Sequence, residues 1–230
     1  MVTTQLIRFY ATRGLLLISF IFSFSIIGSA QTAAIDSLRN EYKTTTNDSS
    51  RFENYFGLTS LMLLQDTAAF KRSLDTLKQL GNELGDPYYV ARSLFVESRF
   101  LKKKGKSIEQ RKKLEEALKL YEIANNKGQI ATTQYALAGT WLPEGDFEEA
   151  FLHFQSALEI FQQIGPRKQE AGCYNALGVV QRRAGNLDEA VHYLSKAATL
   201  SRELNDKVGE SAALLNQAII HKQREEYDLA

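Results

Sequence analysis

Residues 184–190 read AGNLDEA, and the same pattern stands forty residues earlier as EGDFEEA (144–150) and, less cleanly, forty residues later as REEYDLA (224–230). A fixed stride of this length marks a chain built from repeated supersecondary units, none of which buries its apolar face alone. At a forty-residue offset Gly105, Gly145 and Gly185 share one column, and Ala150, Ala190 and Ala230 another. Between them Phe147, Leu187 and Tyr227 each supply one large apolar residue. Further columns are Ala117, Ala157, Ala197 and Leu80, Leu120, Ile160, Leu200. The segments LGDP (84–87), ANNK (124–127), IGPR (164–167) and LNDK (204–207) recur as helix-stop, turn and helix-start signals.

Each unit therefore holds two helices. In the clearest one, Lys168–Ala184 forms helix A, with Ala171, Tyr174, Leu177, Gly178 and Val180 at three-and-four spacing. Gly185 and Asn186 break it, and Asn186 is expected to cap helix B, whose apolar face is Leu187, Ala190, Val191, Leu194, Ala197 and Leu200. Asp146 and Ser107 are expected to cap in the same way one and two units earlier. The pairs Gly178 with Ala197 and Ala138 with Ala157 are expected to let the two helices of a unit approach closely.

Composition agrees with helices. The 230 residues include only 14 Gly and 3 Pro, too few for a protein of many short strands, and 44% hydrophobic residues are enough for a core. The 28 basic and 27 acidic residues nearly balance, so nothing points to a nucleic-acid partner. The single cysteine, Cys173, excludes an internal disulfide.

The first thirty residues read as a secretory signal peptide. Arg8 and Arg13 precede an apolar run from Leu15 to Ile27, and Gly28-Ser29-Ala30 offers the small residues of a cleavage site. The run is short against the roughly twenty residues a helix needs to cross a bilayer. The expectation is an exported, periplasmic or cell-envelope protein cut after Ala30; the alternative is an uncleaved membrane anchor. Residues 31–50 read as a leader helix and linker, and 51–230 as the repeat array.

The small residue at Gly178, Gly185, Ala190, Leu194 and Ala197 together resemble the tetratricopeptide repeat in its longer, roughly forty-residue form. Residues 131–161 and 171–201 keep nearly all of these features, with Trp141 where the family usually has Tyr. Residues 91–125 match in part: Gly105 and Ala117 are kept, while Ser98 and Gln110 stand at small-residue places. Residues 51–86 match weakly, through Leu74, Leu77, Leu80 and Leu84 on a helix B, as suits an end unit. The resemblance implies an all-α fold, a right-handed α-solenoid of antiparallel helix pairs. Residues 35–58 also look like the lead-in of exported arrays that head bacterial sensor histidine kinases and related regulators.

No catalytic constellation emerges. His153, His192 and His221 fall on helices in different units without acid or cysteine at ligand spacing. The pairs Glu148/Glu149 and Asp188/Glu189 sit in first turns, where they complement the helix dipole. No glycine-rich phosphate loop is present, and no cofactor is expected. In the basic run 100–117, Lys102–Lys104 are expected to stabilise a helix carboxyl end, and Arg111, Lys112 and Lys113 to face Glu115 and Glu116. An anionic ligand on this run is the alternative.

The resemblance further implies a concave groove, formed by helix A residues, that holds a peptide or a partner's helix. Its groove positions, carried over one by one, fall on Arg92, Phe95, Arg99 and Lys102. In the next unit they are Thr132, Tyr135, Gly139 and Leu142, and then Gly172, Asn175, Val179 and Arg182. The expected partner is a protein segment, partly apolar and weakly acidic. Residues 207–224 read as one more helix A whose helix B would have only the residues to Ala230, too few to hold a helix. Two readings follow: a longer protein, or self-association through that open repeat. The expected function is a non-enzymatic interaction scaffold; the alternative is the sensory front of a histidine kinase or transcription regulator.

Overall fold

The computed structural model describes residues 35–38, 40–63 and 67–228. The segment 1–30 and Ala230 lie outside the described residues, so the signal-peptide reading is not addressed by the fold. The regular elements of the described residues are helices: α1 (35–38 and 40–44), α2 (Asp48–Met62), α3 (Thr67–Glu83), α4 (Pro87–Lys103), α5 (Ser107–Ile123), α6 (Lys127–Trp141), α7 (Phe147–Ile164), α8 (Arg167–Ala184), α9 (Leu187–Glu203) and α10 (Lys207–Asp228). A single 3₁₀ turn, Leu142–Glu144, follows α6. Two compact units divide between Leu80 and Gly81, inside α3.

In the first unit Asn47 caps α2 by accepting from the Ser50 amide. Phe52, Leu58, Phe70, Leu74 and Leu77 are buried. The hydroxyls of Thr59 and Ser73, also buried, satisfy each other at 2.7 Å. Leu84, expected on the second helix of this pair, lies just past the end of α3.

The second unit is the repeat array. α4 pairs with α5, α6 with α7 and α8 with α9; each pair packs on the next, and α10 packs on both α9 and α8. The expected class, an all-α array of antiparallel helix pairs, is what the structure shows. Its core is continuous across the middle pairs: Ala131, Ala138, Ala150, Phe154, Ala157, Phe161, Cys173, Leu177 and Val180 form one buried cluster.

The turns obey a finer rule than the forty-residue stride. The left-handed backbone positions are Gly85, Gly105, Asn125, Gly145, Gly165, Gly185 and Asn205, one every twenty residues. A helix ends where the chain takes this conformation, which Gly adopts freely and Asn tolerates. The next place in the series is Glu225, and there α10 runs straight on to Asp228. The expected break after residue 224 is therefore absent: without Gly or Asn, nothing in the local chemistry favours a stop.

Capping follows the sequence in part. Asp146 accepts from the Glu149 amide at 3.2 Å, as expected. Asn186 holds the cap position, but its amide group donates to Gln181 Oε1 at 2.7 Å instead of serving the helix. Ser107 is already the first residue of α5, and the cap, Lys106, makes no side-chain bond to the helix. The small-residue contact is also shifted. A methyl group on Gly178 would lie 2.6 Å from Leu194 Cγ and 3.1 Å from the Ala190 carbonyl, so Gly178 faces these residues, nearer the turn than Ala197. Antiparallel pairing about Gly185 requires this, because residues meet at nearly equal distances from the turn.

Lys113 pairs with Glu116 as read, at 2.8 Å, but Arg111 does not face Glu115. It reaches α6, where Nε donates to Thr140 Oγ1 and Nη2 to the Thr140 carbonyl, both at 3.1 Å, and Nη2 also meets Glu144 at 2.8 Å. The last carbonyls of a helix lack internal donors, and the guanidinium supplies one.

Candidate functional site

Helices α4, α6, α8 and α10 are the first members of their units, and three-and-four spacing puts residues 92, 95, 99 and 102 of α4 on one face, as it does their counterparts at forty-residue steps on the other helices, except Leu142, which falls in the 3₁₀ turn after α6. On α6 and α8 this face is open. A methyl group on Gly139 or Gly172 would meet nothing within 4 Å.

Between α6 and α8, Thr132, Tyr135, Phe161, Gln169 and Gly172 line an apolar hollow of about 170 Å³. Between α8 and α10, Gly172, Asn175, Ser201, Asp206 and Gly209 help line a second one of about 370 Å³. Gly172 belongs to both walls, so the two hollows adjoin along α8. Tyr135 remains 39% exposed, with its ring edge-on to Phe154 at 4.9 Å. Burial holds its phenol pKa above the ordinary value, so it serves as a neutral hydroxyl on an apolar ring.

The hollows gather some of the residues read from the sequence. Tyr135 and Asn175 line them, and Asn175 Oδ1 accepts from Asn216 Nδ2 of α10 at 3.1 Å. Val179 and Arg182 continue the same face of α8, both partly exposed. The Arg182 Nε is shielded from solvent and has no acceptor. Arg92, Phe95, Arg99 and Lys102 share the corresponding face of α4 but line neither hollow. Arg92 donates to the Tyr88 hydroxyl at 2.7 Å, while Arg99 and Lys102 are exposed.

Sequence reasoning missed Asn216, Phe161 and Asp206. Asp206 accepts from the Gly209 amide and pairs with Lys168 at 3.1 Å, and these interactions hold its carboxyl below the usual range. Extending the forty-residue register to α10 gives Ala212, which lines the second hollow, and Leu215, Ile219 and Lys222, which line neither. Leu215 is 64% exposed and Ile219 37%.

The histidines stay on separate helices. His153 Nδ1 lies 2.6 Å from Gln134 Oε1, and burial is the main cause that keeps the imidazole pKa below its ordinary value. Cys173 is fully buried, and desolvation pushes its thiol up to about 12, far from a reactive thiolate. Among the described residues no group of three or more His, Cys, Asp or Glu is placed to hold a metal, and no helix is long and apolar enough to cross a membrane.

Residues 129–203 match the family model described as tetratricopeptide repeat. No curated protein sequence matches the chain. Among solved structures it is similar to BtubC (BKLC) from P. vanneervenii, at 19% identity and a TM-score of 0.73, over 87% of this chain and 84% of that one. It is similar also to PH0952 from Pyrococcus horikoshii, a Signal Transduction ATPase with Numerous Domains (STAND) protein with a tetratricopeptide repeat sensor. There the identity is 17% and the TM-score 0.73, over 85% of this chain but only 31% of that one. A third is Bacillus thuringiensis PlcR, crystallised with the peptide PapR7 and DNA, at 15% identity and a TM-score of 0.65, over 80% of this chain and 68% of that one. At these identities the likeness is one of fold. The stretch 129–203 thus matches the tetratricopeptide repeat model and is set in an all-α array of antiparallel helical hairpins.

Proposed function

We propose that the second unit is a non-enzymatic scaffold that binds a peptide or helix of a protein partner across the shared face of α4, α6, α8 and α10. The observation that carries this reading is the pair of hollows that meet at Gly172, where open glycines let a partner backbone come close. The fold is one in which PlcR, a similar structure, was crystallised with a peptide. A photo-crosslinking residue in place of Tyr135 should attach to a discrete protein partner, and the same residue in place of exposed Leu152 on α7 should not. Equal labelling from both places, or none from Tyr135, would remove the groove from the account.

The scaffold is proposed to act outside the cytoplasm after loss of residues 1–30. Mass spectrometry of the mature chain should then find Gln31 at its amino end; a retained Met1 would favour an anchored form. A second reading makes this array the sensory region of a signalling protein. It is supported by the fold shared with PH0952, whose tetratricopeptide repeat sensor belongs to a longer chain. The coding sequence beyond Ala230 separates the two: further hairpins then a stop favour the scaffold, and a membrane span followed by a new domain favours the sensor.

A further inference from the structure

The shared face is electrostatically one-sided, although the chain as a whole is nearly neutral. The groove positions at forty-residue register hold five cations, Arg92, Arg99, Lys102, Arg182 and Lys222, and no acid. The 28 basic and 27 acidic residues of the chain would predict a mixture. Elsewhere in the array Arg111, Lys113, Arg167, Lys168, Arg202, Lys207 and Arg224 each close a salt bridge with a carboxylate. Among the described residues Arg99, Lys102 and Arg182 close none.

Arg182 adds an independent sign. Its Nε is withdrawn from solvent with no acceptor, and a buried donor left unmatched is costly and uncommon in a folded protein. The residue as a whole is only partly buried, and a carboxylate that drew the side chain outward would give that donor an acceptor.

The cations are also placed to one side. Arg99, Lys102, Arg182 and Lys222 lie in the carboxyl-terminal halves of α4, α8 and α10. The exposed apolar side chains of the face, Tyr135, Leu215 and Ile219, lie nearer the helix middles. The one carboxylate at the hollows, Asp206, is on the amino-terminal side and is already matched by Lys168.

From this arrangement we infer that the groove takes a protein segment with carboxylate side chains along one edge and apolar side chains along the other, its acidic edge toward the carboxyl-terminal ends of α4 and α8. The inference rests on the partner-binding reading of this face and specifies its chemistry. Helices in direct contact lie about 10 Å apart, and Lys102 and Arg182 stand two units apart, so their separation is on the order of 20 Å or more. An extended segment rising about 3.3 Å per residue needs about six residues or more to cover it. Two acidic residues at that separation, with Leu or Val between them, would meet both cations. A nucleic acid fits less well, because the cations flank an apolar floor instead of forming a continuous track for phosphates.

The test uses the whole chain and four fluorescent probes read by anisotropy. Three are synthetic twelve-residue peptides of Leu, Val and Ser carrying two Asp, two Asn or two Lys six residues apart; the fourth is an oligothymidine of similar length. The Asp peptide should bind about tenfold more tightly than the Asn peptide at 50 mM salt, and most of that advantage should vanish at 300 mM. The Lys peptide should bind weakest. Arg99→Ala with Arg182→Ala should erase the Asp advantage and leave Asn-peptide binding in place, with melting curves confirming that the variant folds. Gly172→Trp, which fills open space, should abolish binding of both peptides.

Equal binding of Asp and Asn peptides, blocked by Gly172→Trp, would overturn the acidic-edge inference while leaving the groove intact. Binding indifferent to Gly172→Trp would overturn the groove reading itself. Oligothymidine binding as tight as the Asp peptide, or no peptide binding at all, would also overturn the inference.

Discussion

The guanidinium carbon of Arg111 lies 3.2 Å from the centroid of the Trp141 ring. One side chain on α5 thus stacks on the last residue of α6 while its nitrogens bond Thr140 and Glu144, tying two neighbouring hairpins together. Arg111 is only 14% exposed, so these contacts operate in partial shelter from water. Arg111→Ala should cost about 2–4 kcal/mol, by losing the cation–π contact and leaving the Thr140 carbonyl without its side-chain donor. Arg111→Lys keeps the charge without the planar fork and should recover less than half of this. Urea midpoints at constant slope measure both; a wild-type midpoint for the alanine variant would show that the contact contributes nothing.

Glycines of the array should respond in opposite ways to the same substitution. Gly178→Ala drives a methyl group into Leu194 and the Ala190 carbonyl and should cost about 1–3 kcal/mol. Gly139→Ala and Gly172→Ala enter open space on helices and should stabilise by up to about 1 kcal/mol each, through helix propensity. Thermal midpoints moving the same way in all three would contradict the packing described.

Gly185 ends α8 at a φ of +89°. Alanine there meets no steric neighbour, so any cost is conformational and should be about 1–2 kcal/mol. A neutral result would mean that the turn relaxes into another form.

His153 makes stability depend on pH. Burial lowers its pKa, Glu149 and Glu115 oppose this, and Arg111 adds to it. With the charged form disfavoured in the fold, the stabilisation is complete above the unfolded value of about 6.5 and is lost as pH falls through it toward the folded value. Between about pH 7.5 and pH 5.5 the protein should therefore lose stability. His153→Gln, which retains a polar group beside Gln134, should lose less over that interval. Parallel stability curves for the two proteins would rule out His153 as the titrating group.

Cys173, the single cysteine of the chain, is buried with its thiol pushed up to about 12. Alkylation at pH 8 should be negligible in the native state and rise with denaturant alongside the loss of helical signal. Rapid labelling without denaturant would show that α8 opens locally.

The fold was legible because small residues and glycines recur in register, and packing two helices closely leaves few substitutes at those places. The twenty-residue rhythm of the turns was hidden because Asn125 and Asn205 stand where Gly stands in the other turns, and their tolerance of that conformation does not show in a column of glycines. Tyr135 and Asn175 could be placed from spacing along one helix. Asp206, which lines a hollow, and Asn216, which bonds Asn175, could not, because they stand beyond the unit that holds α8. Arg111 misled for the same reason: Glu115 is near in sequence, whereas Thr140 and Glu144 are 29 and 33 residues away.

The regular hand of the turns also restricts how such a chain can change its length. One extra residue within a helix rotates everything beyond it by about 100°, so the next turn would leave in a wrong direction and the following helices would present wrong faces. Lengthening or shortening by a complete hairpin returns the backbone to phase. The molecule can thus alter its reach in whole steps, but intermediate lengths would throw its neighbours out of alignment.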